Sequence, residues 1–187
     1  MGKLDAKLVA IDQLTGEEVW SVEVADPGER YSITSAPRYY DGLVITGFSG
    51  GEMGIRGRVK AFDADTGELV WTFYTVPGPG EPGHETWPQD SNAWQHGGAP
   101  VWQTPAVDPE LGLLYFSTGN PGPDLHGGVR PGDNLFGTSV LALDAETVWL
   151  EQALREAYGA PHGRAGAFAQ KARKAVYNRV RAAIDAI

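Results

Sequence analysis

Apolar and polar residues alternate through much of the first 144 positions, and glycine-bearing turns interrupt the alternation at recurring places. Residues 57–62 alternate in this way, enter the turn Asp63-Ala64-Asp65-Thr66-Gly67, and continue into a short segment that closes on Trp71. Period-two alternation predicts half-buried β-strands, and Thr-Gly supplies the positive-φ position of a tight antiparallel turn. The unit is repeated. Ala10-Ile11-Asp12-Gln13-Leu14-Thr15-Gly16-Glu17-Glu18-Val19-Trp20 shares Ala, Asp, Thr-Gly, Glu, Val and Trp with the stretch from Ala61 to Trp71 at identical offsets, 51 residues apart. A third copy opens at Ala142-Leu143-Asp144-Ala145-Glu146-Thr147, 81 residues after the second, then lacks the glycine and runs into Val148-Trp149-Leu150. In each unit the aspartate can accept hydrogen bonds from turn amides, and the closing tryptophan offers a large face to a neighbouring unit.

A second hairpin pattern precedes the later copies: 36–40, Asp41-Gly42 and 43–48 before one, and 103–107, 108–112 and 113–118 before the other. Four short strands at roughly fifty-residue spacing are the pattern of a β-propeller blade. The expected fold is therefore all-β, a partial propeller of about two and a half four-stranded antiparallel blades. Residues 1–24 hold the last two strands of one blade, 33–75 a complete blade, and 101–144 three strands of the next. Closure takes at least about four blades, so open edges, and self-association through them, are expected.

From Val148 the period changes. Phe168, Ala172, Val176, Val180, Ile184 and Ile187 would share one helical face, with Lys171, Arg173, Lys174, Arg179 and Arg181 on others, and 150–158 forms a shorter helical run. Charge divides the chain at the same point. Eight Lys and Arg stand against 21 Asp and Glu through Thr147, and seven against three beyond it, within a net charge of −9. The expected organisation is a propeller segment over 1–147 and an unrelated helical tail over 148–187. The acidic segment argues against nucleic acid as a partner, because phosphates would be repelled. There is no cysteine, no apolar run of membrane-spanning length, and no apolar signal region after Met1-Gly2-Lys3-Leu4-Asp5, so the chain as given is expected to stay where it is made.

Candidate chemistry begins at residues 45–57, where five of thirteen positions are glycine and one, Glu52, is a carboxylate. Such a loop admits close approach of a planar or anionic ligand and a metal on Glu52; an ordinary turn between strands would have the same glycines. The Pro- and Gly-rich stretches 76–98 and 119–136 suit loops on a functional face or solvated decoration. Glu81, Glu85 and Asp90 read as solvated loop residues. His84, His96, His126 and His162 have no metal-ligand spacing.

Taken together, the first 147 residues resemble the eight-bladed quinoprotein alcohol dehydrogenases, which use pyrroloquinoline quinone (PQQ) and calcium. The repeated Ala-x-Asp-x-x-x-Gly-x-x-x-Trp resembles that family's tryptophan-docking motif, with Trp20 and Trp71 packing between blades. Ile33-Thr34-Ser35-Ala36-Pro37 resembles the segment whose threonine contacts PQQ, and Ser49-Gly50-Gly51-Glu52, followed by Arg56-Gly57, resembles the loop that touches the quinone and supplies a calcium carboxylate. Gly97-Gly98-Ala99-Pro100-Val101-Trp102 resembles the stretch whose tryptophan lies under the cofactor ring, and Tyr115-Phe116-Ser117-Thr118-Gly119-Asn120-Pro121 the one whose asparagine binds calcium.

The resemblance implies Thr34, Ser49, Gly50, Gly51 and Trp102 as PQQ contacts, Glu52 and Asn120 as calcium ligands, an alcohol as substrate and the periplasm as location. Pro100 departs from the family, in which a threonine is common near that position, so the resemblance does not extend to one polar cofactor contact. The family's catalytic aspartate follows the third docking motif, where this chain leaves the pattern, so a binding sector without its general base is expected. A noncatalytic propeller scaffold for protein-protein interaction is the alternative; it would share the docking repeats without requiring Glu52, Trp102 and Asn120 together.

Overall fold

The computed structural model describes residues 1–145, which form three antiparallel sheets in chain order. The first pairs β1 (Lys7–Ile11) with β2 (Glu18–Glu23), and residues 1–3 lie along the other edge of β1 through a Gly2–Leu8 bridge. The second is a complete four-stranded meander of β3 (Arg38–Tyr40), β4 (Leu43–Gly47), β5 (Arg58–Asp63) and β6 (Leu69–Tyr74). The third contains β7 (Ala106–Asp108), β8 (Leu113–Ser117) and β9 (Val140–Asp144). These are the expected blades. The helices expected after residue 147 lie outside the described residues.

Local chemistry sets the boundaries. Asp41 and Gly42 both have positive φ, at 44° and 78°, which matches the twist of a two-residue hairpin. β3 and β7 are shorter than the alternation implies and each begins after a proline, Pro37 and Pro105, which has no N–H to give a ladder. The two full repeats also share an irregularity, a register shift at Ala10/Ile11 and at Ala61/Phe62. In each, the aspartate caps the turn: Asp12 Oδ1 accepts from the amides of Leu14 and Thr15, and Asp63 Oδ1 from those of Asp65 and Thr66.

The middle sheet is buried on both faces. Phe62 packs with Leu8, Val24, Phe48 and Ile55 between the first two sheets, whereas Val59, Ala61 and Trp71 pack with Leu114, Leu141 and Leu143 between the second and third. The repeat tryptophans close these layers. Trp20 Nε1 donates to the Ala64 carbonyl at 2.9 Å, and Trp71 Nε1 to that of Ala145 at 3.0 Å, so each indole is tied to the turn of the following unit.

The long loops are packed elements. Val76, Trp87 and Ala99 form a small core of their own. Trp87 Nε1 donates to the Leu135 carbonyl, the Leu135 amide to Thr86 Oγ1, and the Phe136 amide to the Thr75 carbonyl, which binds 76–98 to 119–136. Glu81 departs from the solvated reading, since it is partly buried, pairs with Arg56 and accepts from the Gly78 amide; Glu85 is exposed and accepts from the Gly83 amide. Among the described residues, no helix is long and apolar enough to cross a membrane.

Candidate functional site

Four backbone segments outside the long strands meet beside the middle sheet. Ser32 and Ser49 form an antiparallel bridge, Arg56 and Gly98 a parallel one, and Gly98 and Pro121 an antiparallel one. Supporting bonds run from the Gly57 amide to the Gly98 carbonyl, from Gly98 to Ile55, from Ala99 to Asn120 and from Gly122 to Gly97, all at 2.8–2.9 Å. The glycines permit this approach: a Cβ at Gly57 would overlap Thr75 Oγ1 and the carbonyls of Gly98 and Ala99. Pro100 is the wedge between two of the segments. Its ring would stand 2.8 Å from a Cβ at Gly51 and 2.9 Å from one at Gly119, so it packs as an apolar wedge against two glycines.

The stitching opens a cavity of about 280 Å3 lined by Gly51, Glu52, Pro100, Trp102, Asn120 and Asp124, among others. Glu52, Trp102 and Asn120, which come from three separate segments, therefore face one space. Trp102 is 53 % exposed, unlike the docking tryptophan Trp71 at 8 %. Among the described residues, the side chains of Glu52, Asn120 and Asp124 make no hydrogen bond or ion pair, which leaves their oxygens free at the cavity.

The remaining sequence candidates lie beside this space. Thr34 Oγ1 and Ser49 Oγ hydrogen-bond each other at the Ser32–Ser49 bridge, and neither lines the cavity. Gly50 is also outside the lining; its φ of 120° and its closeness to the Arg30 carbonyl, 2.5 Å from where a Cβ would stand, require glycine there.

Arg56, four positions after Glu52, anchors the loop from behind. Its guanidinium lies 3.6 Å from the centre of the Tyr74 ring and 4.7 Å from that of Trp94, donates from Nε to the Val76 carbonyl at 2.8 Å, and pairs with Glu81. Its backbone is held as well: the Tyr31 hydroxyl donates to the Arg56 carbonyl and accepts from the Arg56 amide. Burial draws the Arg56 guanidinium below its ordinary value, with Glu81 opposing the shift, and burial pushes the Tyr31 phenol up.

Residues 23–156 match the protein family described as "PQQ: Glucose/ethanol/alcohol dehydrogenase, beta-propeller domain". The chain belongs to this PQQ propeller family. It is 46 % identical over 158 residues to quinohemoprotein alcohol dehydrogenase ADH IIB of Pseudomonas putida, a match covering 79 % of this chain and 23 % of that protein. The structure of quinohemoprotein alcohol dehydrogenase ADHIIG from Pseudomonas putida HK5 superposes with a TM-score of 0.71 at 42 % identity, over 82 % of this chain and 25 % of that one. A europium-containing methanol dehydrogenase gives a TM-score of 0.73 at 35 % identity, over 80 % and 29 %. The chain thus spans about a quarter of the length of the curated relatives it matches.

Within this PQQ propeller segment, sequence reasoning missed Asp124 and the Arg56 clamp. Asp124 follows Pro121-Gly122-Pro123, a turn-forming run that gives no sign of which way the next side chain faces. Arg56 stood inside the loop motif, yet its partners Tyr74, Glu81 and Trp94 come from a strand and a loop with no shared periodicity.

Proposed function

We propose that this segment supplies one sector of a PQQ and calcium site in a quinoprotein dehydrogenase that oxidises alcohols. The observation that carries the reading is the convergence of Glu52, Asn120 and the exposed face of Trp102 on one cavity. The donor set fits a hard cation: calcium takes six to eight oxygen ligands, and Glu52 with Asn120 offers about three oxygen contacts. The remaining ligands would include the carbonyl and carboxylate oxygens of the quinone. In this reading Trp102 stacks under the cofactor ring, Gly51 allows close approach, and Thr34, Ser49 and Gly50 complete the cofactor edge. PQQ with its metal supplies a two-electron acceptor polarised by a Lewis acid. The residues of this chain bind and orient, and none is assigned the role of general base. A periplasmic location, the division at residue 147 and self-association through open sheet edges belong to the same proposal.

The test adds PQQ to the folded chain with and without calcium and follows tryptophan fluorescence and quinone absorption. A calcium-dependent change is expected; Glu52→Ala should abolish its calcium dependence, and Trp102→Ala should remove most of the quenching. An unchanged spectrum in a folded sample would overturn the reading in favour of a noncatalytic scaffold.

A further inference from the structure

A second cavity, of about 230 Å3, lies behind the glycine loop and is lined by residues that include Glu29, Arg30, Tyr31, Arg56, Gln95 and His96. We infer that it binds a small anion bearing a carboxylate or phosphate group. The charge within the lining is resolved pair by pair. Arg56 is compensated by Glu81, and the exposed carboxylate of Glu29, in the same lining, stands 4.0 Å from Arg58. Arg30 is left over. Among the described residues, the guanidinium groups of Arg38, Arg56, Arg58 and Arg130 each make a hydrogen bond or ion pair, whereas that of Arg30 makes neither. A pocket with one uncompensated guanidinium is thus built into a segment whose surface is otherwise strongly acidic.

Backbone geometry makes the placement specific. Arg30 has a φ of 67°, a left-handed conformation unfavourable for a side chain of this type, and its carbonyl is pressed against Gly50. The conformation fixes where the Arg30 side chain leaves the backbone, beside the loop. His96 is held by a hydrogen bond from Nδ1 to the Gly54 carbonyl at 3.1 Å, and the Gln95 amide, a side-chain donor, lies on the same lining. A guanidinium fork with flanking donors is matched to planar or tetrahedral oxyanions. This site shares the loop backbone with the Glu52 cavity but none of its lining side chains, so it stands independently of the proposed function.

The experiment titrates the full chain, 15N-labelled, with inorganic phosphate and separately with citrate, against a sodium chloride series of equal ionic strength. Saturable shifts are expected at the amides of Gly28, Tyr31, Gly54, Gln95 and His96 with at least one of the two anions, and saturation by one alone identifies the preferred oxyanion. Arg30→Asn, which tolerates the left-handed backbone, should weaken binding about tenfold or more, and Arg30→Lys should recover part of the loss. Trp102→Ala should leave the titration unchanged. Non-saturating shifts, shifts reproduced by chloride, or equal affinity in Arg30→Asn would overturn the inference.

Discussion

Trp71 and Trp102 are the same residue type in the same small segment, put to opposite uses. Trp71 is 8 % exposed, packs with Val59, Leu114 and Leu143, and gives its indole N–H to the carbonyl of Ala145. Trp102 is 53 % exposed and faces a cavity with Glu52 and Asn120. The first indole satisfies its polar atom and buries its faces within the fold; the second leaves a face exposed at the Glu52 cavity. The buried indole is a joint between sheets, and the exposed one is the face that the proposed cofactor would cover.

Substitution should separate the two roles by several kcal/mol. Trp71→Ala removes a buried indole and its hydrogen bond between sheets, and should cost about 4 kcal/mol of unfolding free energy, enough to melt a marginal segment. Trp102→Ala should change stability by no more than about 1 kcal/mol while removing the proposed cofactor response. Urea unfolding of the two variants beside the parent measures both. Equal losses would erase the distinction between joint and binding surface.

The glycine contacts test whether the cavity needs its close backbone. Gly57→Ala should destabilise by about 3 kcal/mol, because the new methyl overlaps Thr75 Oγ1 and two carbonyls that cannot withdraw without breaking the Arg56–Gly98 bridge. Gly112→Ala is the contrast: its φ is 67°, yet nothing lies within 4 Å of the added carbon, so only the backbone cost of about 1 kcal/mol is expected. Thermal melts of both variants decide whether crowding or backbone conformation dominates.

The joints were far more legible in the sequence than the cavity. Ala61 to Trp71 carries its structure locally: the alternation, the aspartate that caps the turn and the Thr-Gly pair all act within eleven positions, and the copy at Ala10 repeats them. Glu52, Trp102 and Asn120 could be named only through their order along a familiar pattern, and the cavity that unites them rests on bridges between distant loops. Glu81 illustrates the limit. It sits in a Pro- and Gly-rich run that reads as solvent-exposed, yet its partner Arg56 lies 25 positions away. Likewise Trp87 finds the Leu135 carbonyl 48 positions on, and no local period encodes such a pairing.

Arg56 lies between the two regions, since it holds the loop behind Glu52 without touching the Glu52 cavity lining. Arg56→Met should cost about 1–2 kcal/mol, most of it from lost stacking on Tyr74 and Trp94 and the lost bond to Val76, because Glu81 is exposed enough for water to screen its share. Arg56→Lys keeps the charge but neither the planar fork nor the stacking, and should recover less than half of the loss. Faster proteolysis within 76–98 in both variants would locate the effect in the loop. A rise confined to the blade hairpins would place the clamp among the joints instead.

The smallest expected effect lies in the turn aspartates, which test the joints in pH rather than in packing. The Thr66 amide and hydroxyl and the Asp65 amide all donate to Asp63 Oδ1, and these bonds, the Thr66 amide foremost, hold the carboxyl below its ordinary 3.8. Asp12 is lowered by the amides of Thr15 and Leu14 in the same way. Because the folded value is depressed, each carboxylate stabilises the fold above the ordinary aspartate range, and that contribution is lost as pH falls through the folded value. Asp63→Asn keeps a side-chain acceptor but removes the charge, so its urea midpoint should lie slightly below the parent's at pH 6 and converge on it under strong acid. Carboxyl NMR titration of the parent checks the direction directly. A constant offset between parent and variant from pH 6 downward would mean that the turn depends on its geometry and not on the ionised carboxylate. The joints would then be as insensitive to acid as their buried tryptophans.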